Sequence, residues 1–339
     1  MDKAFMAHAL ELAQLGGRDV APNPMVGAVI ECQGTIIGQG FHQFFGGPHA
    51  EINAINAVND KSLLAQSTLY VNLEPCAHYG KTPPCVDAIV KARIPHVIVG
   101  CRDPHPVNAG GIERLIQAGV KVTERVMEDE SKLLNKRFIT FHTVRRPYVI
   151  LKWAESADGF IAPIGRAQWL TTAQSKKLVH KWRAEECAVM VGTNTAAIDN
   201  PALTVREVPG KNPLRIVLDR KRRLSAASKL FDGSAHTLVF SELPEKTPRK
   251  GVEFVQTSFN ERIIYTVLDH LYRKEVLSLI VEGGAQLLRS FIEAKLWDEA
   301  RVFVTATRLE DGIKAPQLTG PLVDECSVGN DRLNLYSRI

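Results

Sequence analysis

The chain has 339 residues, of which 45% are hydrophobic and 23% are charged, and this composition excludes collagen-like, low-complexity and disordered proteins. Its formal charge of +5 is too small for the basic footprint of a nucleic-acid-binding protein. No run approaches the roughly 18 consecutive apolar residues of a membrane span, and the N-terminus lacks the features of a signal peptide. We therefore predict a cytoplasmic protein with neither nucleic acid nor membrane as a partner. In such a compartment the six cysteines favour metal binding or burial over disulfides.

Strand and helix signals alternate along the first part of the chain. Apolar, β-branched runs predict strands at 26–31, 35–40, 68–73 and 96–100. Helical patterns lie at 3–15, 50–58, 85–92 and 111–118. This alternation is typical of a layered α/β domain. Because proline disfavours helix in the residue before it, Pro147 predicts the end of the domain at residue 145.

A second alternation begins after that boundary. Its predicted strands lie at 148–153, 188–192, 215–219, 237–240, 277–282 and 300–305. Its predicted helices lie at 172–184, 260–272 and 284–294. Residues 242–251 are typical of a solvated loop, whereas 306–339 give little signal. The sequence therefore predicts two α/β domains in tandem, 1–145 and 146–339.

The first domain carries a histidine, an acid and two cysteines in a specific order. Pro48-His49-Ala50-Glu51 begins one predicted helix, Pro75-Cys76 follows a strand, and Cys85 begins another helix. One imidazole and two thiolates can supply three ligands of a tetrahedral zinc ion and leave the fourth position for water, as in catalytic sites. The order resembles that of the zinc nucleobase deaminases. That resemblance implies one zinc ion per chain on His49, Cys76 and Cys85, with Glu51 as the catalytic proton shuttle.

The spacing of the cysteines and several neighbouring motifs distinguish one family among the zinc deaminases. Eight residues separate Cys76 from Cys85, where nucleobase deaminases have two. The deaminase half of the bifunctional deaminase/reductase family of riboflavin biosynthesis is similar in five segments: NPMVGAVI (23–30), GQGFH (38–42), PHAE (48–51), LEPCAHYGKTPPC (73–85) and DPHPVNAGG (103–111). The family resemblance implies a cytidine-deaminase-like three-layer fold and a phosphorylated pyrimidine substrate. The residues it places on that substrate are Asn23, His42, His78, Lys81 and Asp103.

The second domain contains a glycine pair at the end of a predicted strand. Gly283-Gly284 could bring backbone amides and a helix N-terminus toward an anionic group, although such a pair more often forms a tight turn. The reductase half of the same family, whose fold is like dihydrofolate reductase, is similar in six segments: LKWAESADGFIA (151–162), WLTT (169–172), HKWRAEE (180–186), VGTNTAAIDNPALTVR (191–206), RIVLD (215–219) and VEGGAQLLRSF (281–291).

The reductase resemblance implies NADPH as the cofactor. The residues that it places on NADPH are Ala154, Trp169, Thr195, Asp199, Gly284, Ala285, Gln286, Leu287, Leu288, Arg289 and Ser290. The residues that it places on the phosphoribosyl substrate are Ala167, Arg183, Leu203, Arg206 and Glu282. Ala167 stands where the family commonly has serine. The basic run 220–223 is either a grip for the extra phosphate of the cofactor or, more often for such runs, a solvated loop.

The two halves together predict a bifunctional enzyme that deaminates diaminohydroxyphosphoribosylaminopyrimidine with zinc and then reduces the ribosyl chain to ribityl with NADPH. One alternative is a zinc nucleoside or tRNA-base deaminase with a non-catalytic C-terminal domain, against which stand the cysteine spacing and the lack of a basic stripe with interleaved aromatics. Another is a ligand-sensing protein on the same folds, which Ala167 keeps open for the second half. A homo-oligomer is compatible with the sequence.

Overall fold

A computed structural model of the chain describes residues 2–79, 83–245, 247–318 and 320–338. The chain divides into two units, Met1–Arg145 and Arg146–Ile339, and each unit has its own sheet and hydrophobic core. In the described ranges, no helix has the length and apolar character needed to cross a membrane.

The first unit is built on a five-stranded sheet with the strand order β2-β1-β3-β4-β5. Its strands are β1 (Gly27–Cys32), β2 (Thr35–Phe41), β3 (Thr68–Leu73), β4 (His96–Cys101) and β5 (Lys121–Thr123). Its α-helices are α1 (Asp2–Gln14), α2 (Ala50–Ala57), α3 (Cys85–Lys91), α4 (Gly111–Gln117), α5 (Glu128–Leu134) and α6 (Lys136–Val144). β1 is antiparallel to β2 and β3, whereas β3, β4 and β5 are parallel. The carboxyl ends of β3 and β4 therefore lie at one edge of the sheet.

Helices cover both faces of this sheet, which explains the nearly continuous apolar runs of its central strands. Successive side chains of a strand point to opposite faces. On β3, Val71 packs with Ile89 of α3 on one face, and Tyr70 packs with Met6 of α1 on the other. The layered α/β fold predicted from the sequence is confirmed.

The second unit is built on a nine-stranded sheet with the order β11-β10-β9-β8-β12-β6-β13-β16-β15. Its strands are β6 (Tyr148–Glu155), β7 (Phe160–Ala162), β8 (Ala188–Gly192), β9 (Leu214–Leu218), β10 (Thr237–Ser241), β11 (Val252–Gln256), β12 (Ser278–Val281), β13 (Glu299–Val304), β14 (Ile313–Lys314), β15 (Leu322–Val328) and β16 (Asp331–Ser337). Its α-helices are α7 (Ala173–Glu185), α8 (Thr193–Asp199), α9 (Ile263–Arg273) and α10 (Ala285–Glu293). The strands from β11 to β13 run parallel, β16 and β15 are antiparallel, and β7 pairs with β14 in a small separate sheet.

The sequence did not predict the two edges of this sheet, which are β11 at one side and the C-terminal hairpin of β15 and β16 at the other. β15 is an edge strand whose side chains are exposed on both faces, with Leu322 50% and Val323 58% exposed. Such a strand lacks the apolar alternation that marks a half-buried strand, since neither face packs on a core. It also carries Cys326, the exposed member of the six free cysteines.

Candidate active sites

The predicted zinc ligands meet at the ends of three elements in the first unit. His49 precedes α2, Cys76 follows β3, and Cys85 is the first residue of α3. Their donor atoms all lie within 4.8 Å of one another, and Nδ1 of His49 is 3.2 Å from Sγ of Cys85 and 3.5 Å from Sγ of Cys76. Tetrahedral zinc with bonds of about 2.1 Å to nitrogen and about 2.3 Å to sulfur needs N–S separations of about 3.6 Å. The donor set therefore fits zinc and leaves one coordination position for a small ligand.

Hydrogen bonds among the three donors shift their proton affinities. The bond from Cys85 lowers the pKa of the Cys76 thiol, and the same interaction raises the pKa of Cys85. The bond to Cys76 raises the pKa of His49 to about 9. The backbone N–H of Cys85 also donates to Sγ of Cys76 over 3.3 Å. A thiolate stabilised by such donors is the form of cysteine that binds a metal ion.

Glu51 belongs to the same site. It occupies the first turn of α2, is 3% exposed, and lines the cavity in front of the zinc-ligand trio. Burial raises the pKa of Glu51, against the opposing charge of His49. A carboxyl group with a raised pKa can both accept and return a proton near neutral pH. The structure thus brings the predicted proton shuttle and the predicted ligands together.

The cavity has a volume of about 270 Å³. Four of the five predicted substrate residues line it, and these are Asn23, His42, His78 and Asp103. The fifth, Lys81, lies outside the described residues. The walls also contain three residues that the sequence did not single out: Glu74 and Asn108, which belong to the motifs 73–85 and 103–111, and Phe45, which lies between the motifs 38–42 and 48–51.

Asn23 and His42 form a fixed pair in the cavity wall. Nδ2 of Asn23 donates to Nε2 of His42 over 3.0 Å, and Nδ1 of His42 is 3.0 Å from the carbonyl oxygen of Pro48. Burial lowers the pKa of His42, so the neutral ring with its proton on Nδ1 satisfies both bonds. Asp103 also lines the cavity, and burial raises its pKa to about 6.

In the second unit, several of the predicted cofactor residues lie at the carboxyl ends of parallel strands, where α/β sheets commonly bind ligands. Ala154 is near the end of β6, and the glycine pair follows β12. Gly283 has φ +135° and Gly284 has φ +61°, and a Cβ on Gly284 would lie 3.0 Å from Oγ1 of Thr195 on α8. Asp199 ends the same helix. Segments almost 90 residues apart in sequence are thus in contact.

The side chains of α10 divide between core and solvent. Ala285, Leu287 and Leu288 are buried, and the two leucines belong to the hydrophobic core. Gln286 and Arg289 are exposed, and the hydroxyl of Ser290 donates to the carbonyl oxygen of Gln286 over 3.0 Å. The leucines can therefore reach a ligand through their backbone alone.

Two further predicted residues lie in the exposed loop before α7. Trp169 is 66% exposed, and the ammonium group of Lys176 lies 5.9 Å from its ring centre. Ala167 is exposed in the same loop. Neither residue lies within a packed wall in this structure.

The predicted substrate residues Arg183 and Glu282 bind each other. Nε and Nη2 of Arg183 donate to the two carboxylate oxygens of Glu282 over 2.5 and 2.6 Å, and both side chains are nearly buried. Burial by itself would raise the pKa of Glu282, but the charge and hydrogen bonds of Arg183 outweigh burial and lower it. The buried ammonium of Lys152 also lies near this carboxylate.

Arg206 and Leu203 lie in the same segment as Thr204, whose carbonyl oxygen accepts a hydrogen bond from Nη1 of Arg183 over 3.4 Å. The backbone N–H of Arg206 donates to Nδ1 of His180 over 3.0 Å, and its Nη1 donates to Oγ1 of Thr204 over 2.6 Å. Leu203 has φ +51° and a buried side chain that packs in the core. His180, quoted above only as part of a motif, thus supports a predicted substrate residue.

The side chains of the basic run 220–223 have two kinds of partner. Arg220 pairs with Glu242 and Arg222 with Glu245, as in a solvated loop. Nη2 of Arg223 instead donates to Oδ1 of Asn194 over 3.1 Å, beside the predicted cofactor residue Thr195.

Comparisons with known proteins match both units. The family described as the cytidine and deoxycytidylate deaminase zinc-binding region matches residues 1–101, and the RibD C-terminal domain family matches residues 147–318. The riboflavin biosynthesis protein RibD of Aquifex aeolicus is 40% identical over 327 residues, which cover 94% of this chain and 90% of that protein. The protein of the same name from Escherichia coli is 36% identical and covers 89% of this chain and 87% of its own length.

Solved structures match over the whole length. A diaminohydroxyphosphoribosylaminopyrimidine deaminase/5-amino-6-(5-phosphoribosylamino)uracil reductase from Thermotoga maritima superposes with a TM-score of 0.92 at 37% identity, over 99% of this chain and 98% of that one. The RibD of Acinetobacter baumannii superposes with a TM-score of 0.89 at 33% identity, over the same shares.

Proposed function

This chain belongs to the RibD family of riboflavin biosynthesis, and from that membership we propose which of its residues carry out each of its two reactions. It is a bifunctional enzyme with a zinc-binding deaminase domain and a reductase domain. Since a reductase family matches the second half, a deaminase with a non-catalytic second domain is disfavoured. A cytoplasmic location and a homo-oligomeric state stay predictions from the sequence.

For the first unit we propose the deamination of diaminohydroxyphosphoribosylaminopyrimidine, the reaction for which the Thermotoga maritima relative is named. The observation that carries this assignment is one cavity lined by His49, Cys76, Glu51 and the polar side chains, with Sγ of Cys85 within 4.8 Å of the other two donor atoms. His49, Cys76 and Cys85 would hold the zinc ion. When bound, zinc activates a water molecule as the nucleophile by lowering its pKa.

The other residues of this cavity move the proton and orient the substrate. Glu51 accepts the proton of the nucleophile and returns it to the departing amine, which its burial and raised pKa favour. The Asn23–His42 pair has fixed donors and acceptors and therefore orients the pyrimidine. Asp103 and His78 contact the substrate from the cavity lining, and the family resemblance adds Lys81 to these contacts.

For the second unit we propose NADPH as the nicotinamide cofactor. When bound, it supplies the hydride that converts the ribosyl chain to ribityl. Its binding surface is the carboxyl edge of β6, β8 and β12, where Ala154, Thr195 and Gly284 lie. Arg223 beside α8 is placed to bind the phosphate that distinguishes NADPH from NADH, because a guanidinium group donates parallel hydrogen bonds to phosphate.

The phosphoribosyl group would lie against Arg206. Its guanidinium has one described side-chain bond, to Thr204, and keeps further donors for a phosphate. Arg183, by contrast, commits two donors to Glu282, so it acts by holding that carboxylate in place. Leu203 shapes the site through its left-handed backbone.

A split assay on the zinc-loaded, full-length protein tests both assignments. Ammonia release is measured with the phosphorylated diaminopyrimidine, and NADPH oxidation is measured with the deaminated product supplied alone, with NADH as the matched comparison. We expect both steps to proceed and NADPH to be preferred. Ammonia release without NADPH oxidation would contradict the reductase assignment, and the reverse would contradict the zinc site.

A further inference from the structure

A buried carboxylate that the reactions above do not use lies beside the deaminase site. Glu74 directly follows β3, two residues before the zinc ligand Cys76, and is 4% exposed. Its side chain lines the cavity. Burying a carboxylate costs free energy unless its oxygens accept hydrogen bonds.

The partners of Glu74 are backbone N–H groups of one loop. Oε2 accepts from the N–H of Asp103 over 3.1 Å, and Oε1 accepts from the N–H groups of Gly110 and Ile112 over 3.0 and 3.2 Å. One side chain therefore ties together both ends of the segment 103–112, which connects β4 to α4.

A close backbone contact supports this arrangement independently. A Cβ on Gly111 would lie 1.8 Å from the carbonyl oxygen of Pro75, so only glycine lets α4 approach the residue between Glu74 and Cys76. The N–H of Ala77 also donates to the carbonyl oxygen of Asn108 over 3.2 Å. The segment is thus attached to the chain on both sides of the zinc ligand.

The segment carries two side chains of the cavity wall. Asp103 accepts from the N–H of His105 over 2.8 Å through Oδ1, which turns the loop back on itself, and Asn108 lines the same cavity. The position of both residues relative to the zinc-ligand trio depends on the loop, and the loop is held by Glu74.

We propose that Glu74 is a positioning residue for deamination, which holds Asp103 and Asn108 at a fixed distance from the zinc-ligand trio. The proposal rests on the proposed function of the first unit. Hydrogen bonds from backbone N–H groups to an ionised carboxylate are stronger than those between neutral groups. Glutamine at this position would keep one acceptor oxygen but turn an NH₂ donor toward a backbone donor.

The test compares Glu74→Gln and Glu74→Asp in the zinc-loaded, full-length enzyme. We expect Glu74→Gln to raise the KM for the phosphorylated diaminopyrimidine at least tenfold, with kcat within a factor of about three, because the trio and Glu51 stay in place. Hydrogen–deuterium exchange of the peptide that spans 103–112 should become faster. Glu74→Asp keeps the charge and should recover part of both effects.

The controls are the zinc content, the reductase activity and one variant at an exposed glutamate. Zinc stoichiometry and NADPH oxidation should stay unchanged, and Glu11→Gln on α1, whose exposed carboxylate pairs with His8, should leave KM and exchange as in the wild type. Unchanged KM and exchange in Glu74→Gln would overturn the proposal, as would a loss of zinc in both Glu74 variants. A wild-type enzyme that releases no ammonia would contradict the proposed function instead, and the exchange rates would then decide whether Glu74 holds the loop.

Discussion

The buried pair of Arg183 and Glu282 allows a quantitative prediction for the second unit. Glu282→Gln removes the negative charge and leaves the guanidinium of Arg183 nearly buried without its ionic partner. Breaking a buried ion pair by removing one partner costs about 3–5 kcal/mol. For a unit of about 190 residues, each 1 kcal/mol shifts the melting temperature by about 2–4 °C. We therefore expect the melting temperature of this unit to fall by roughly 6–20 °C.

The assay is calorimetry of the full-length chain, with the transition of the first unit as an internal reference. Asp269→Asn, which breaks the exposed pair of Asp269 and Arg273 on α9, is the matched control and should change stability by less than about 0.5 kcal/mol. The double variant Arg183→Met/Glu282→Leu should recover much of the loss, because it leaves no unpaired charge. A shift below about 2 °C for Glu282→Gln would refute the reasoning.

The pH dependence of this effect has a definite sign. Because the pKa of Glu282 in the folded chain lies below the ordinary value of 4.5, the pair stabilises the fold above that pH. The stabilisation is lost as the pH falls through the lower, folded-state pKa. The difference in stability between wild type and Glu282→Gln should therefore shrink in acid, and a constant difference would contradict the ion-pair origin.

Four further predictions follow from the two sites. Glu51→Gln should keep zinc and abolish ammonia release while NADPH oxidation of the deaminated product continues; surviving deamination would exclude Glu51 as the proton shuttle. Cys85→Ser should lower the bound zinc measured by atomic absorption, and an unchanged stoichiometry would remove Cys85 from the ligand set. Arg206→Ala should raise the KM for the phosphorylated product far more than that for NADPH, whereas equal losses would undo the phosphate assignment. Burial lowers the pKa of His180 from its ordinary 6.5 to about 4, so as the pH falls the unfolded chain takes up this proton first and the second unit should lose stability between these values. His180→Asn should reduce the dependence of the unfolding free energy on pH, measured by urea titration. An identical dependence in wild type and variant would rule out His180 as its source.

Much of the fold and the deaminase chemistry could be predicted from the sequence. The buried strands β3 and β8 are short apolar runs between turn signals, and such runs are visible in one dimension. The ligand order of His49, Cys76 and Cys85 is likewise local, because each residue stands at the end of an element. These signals determined the two α/β domains, the zinc-ligand trio and the position of Glu51 beside it.

Only the tertiary structure decided which partners the polar groups find. The loop that Glu74 holds lies about 30 residues farther along the chain, and the carboxylate of Glu282 reaches Arg183 across 99 residues. No local pattern encodes such pairs, since burial and charge compensation depend on which elements pack together. The edge strand β15 was missed for the same reason: its backbone pairs with β16, while its exposed side chains follow no apolar pattern. The sequence alone determined most of the central strands and helices and the chemistry of the ligands, because both depend on neighbouring residues. Only the tertiary structure determined which hydrogen bonds hold the sites in place, because those bonds join residues that are distant in sequence and meet in a buried, low-dielectric environment.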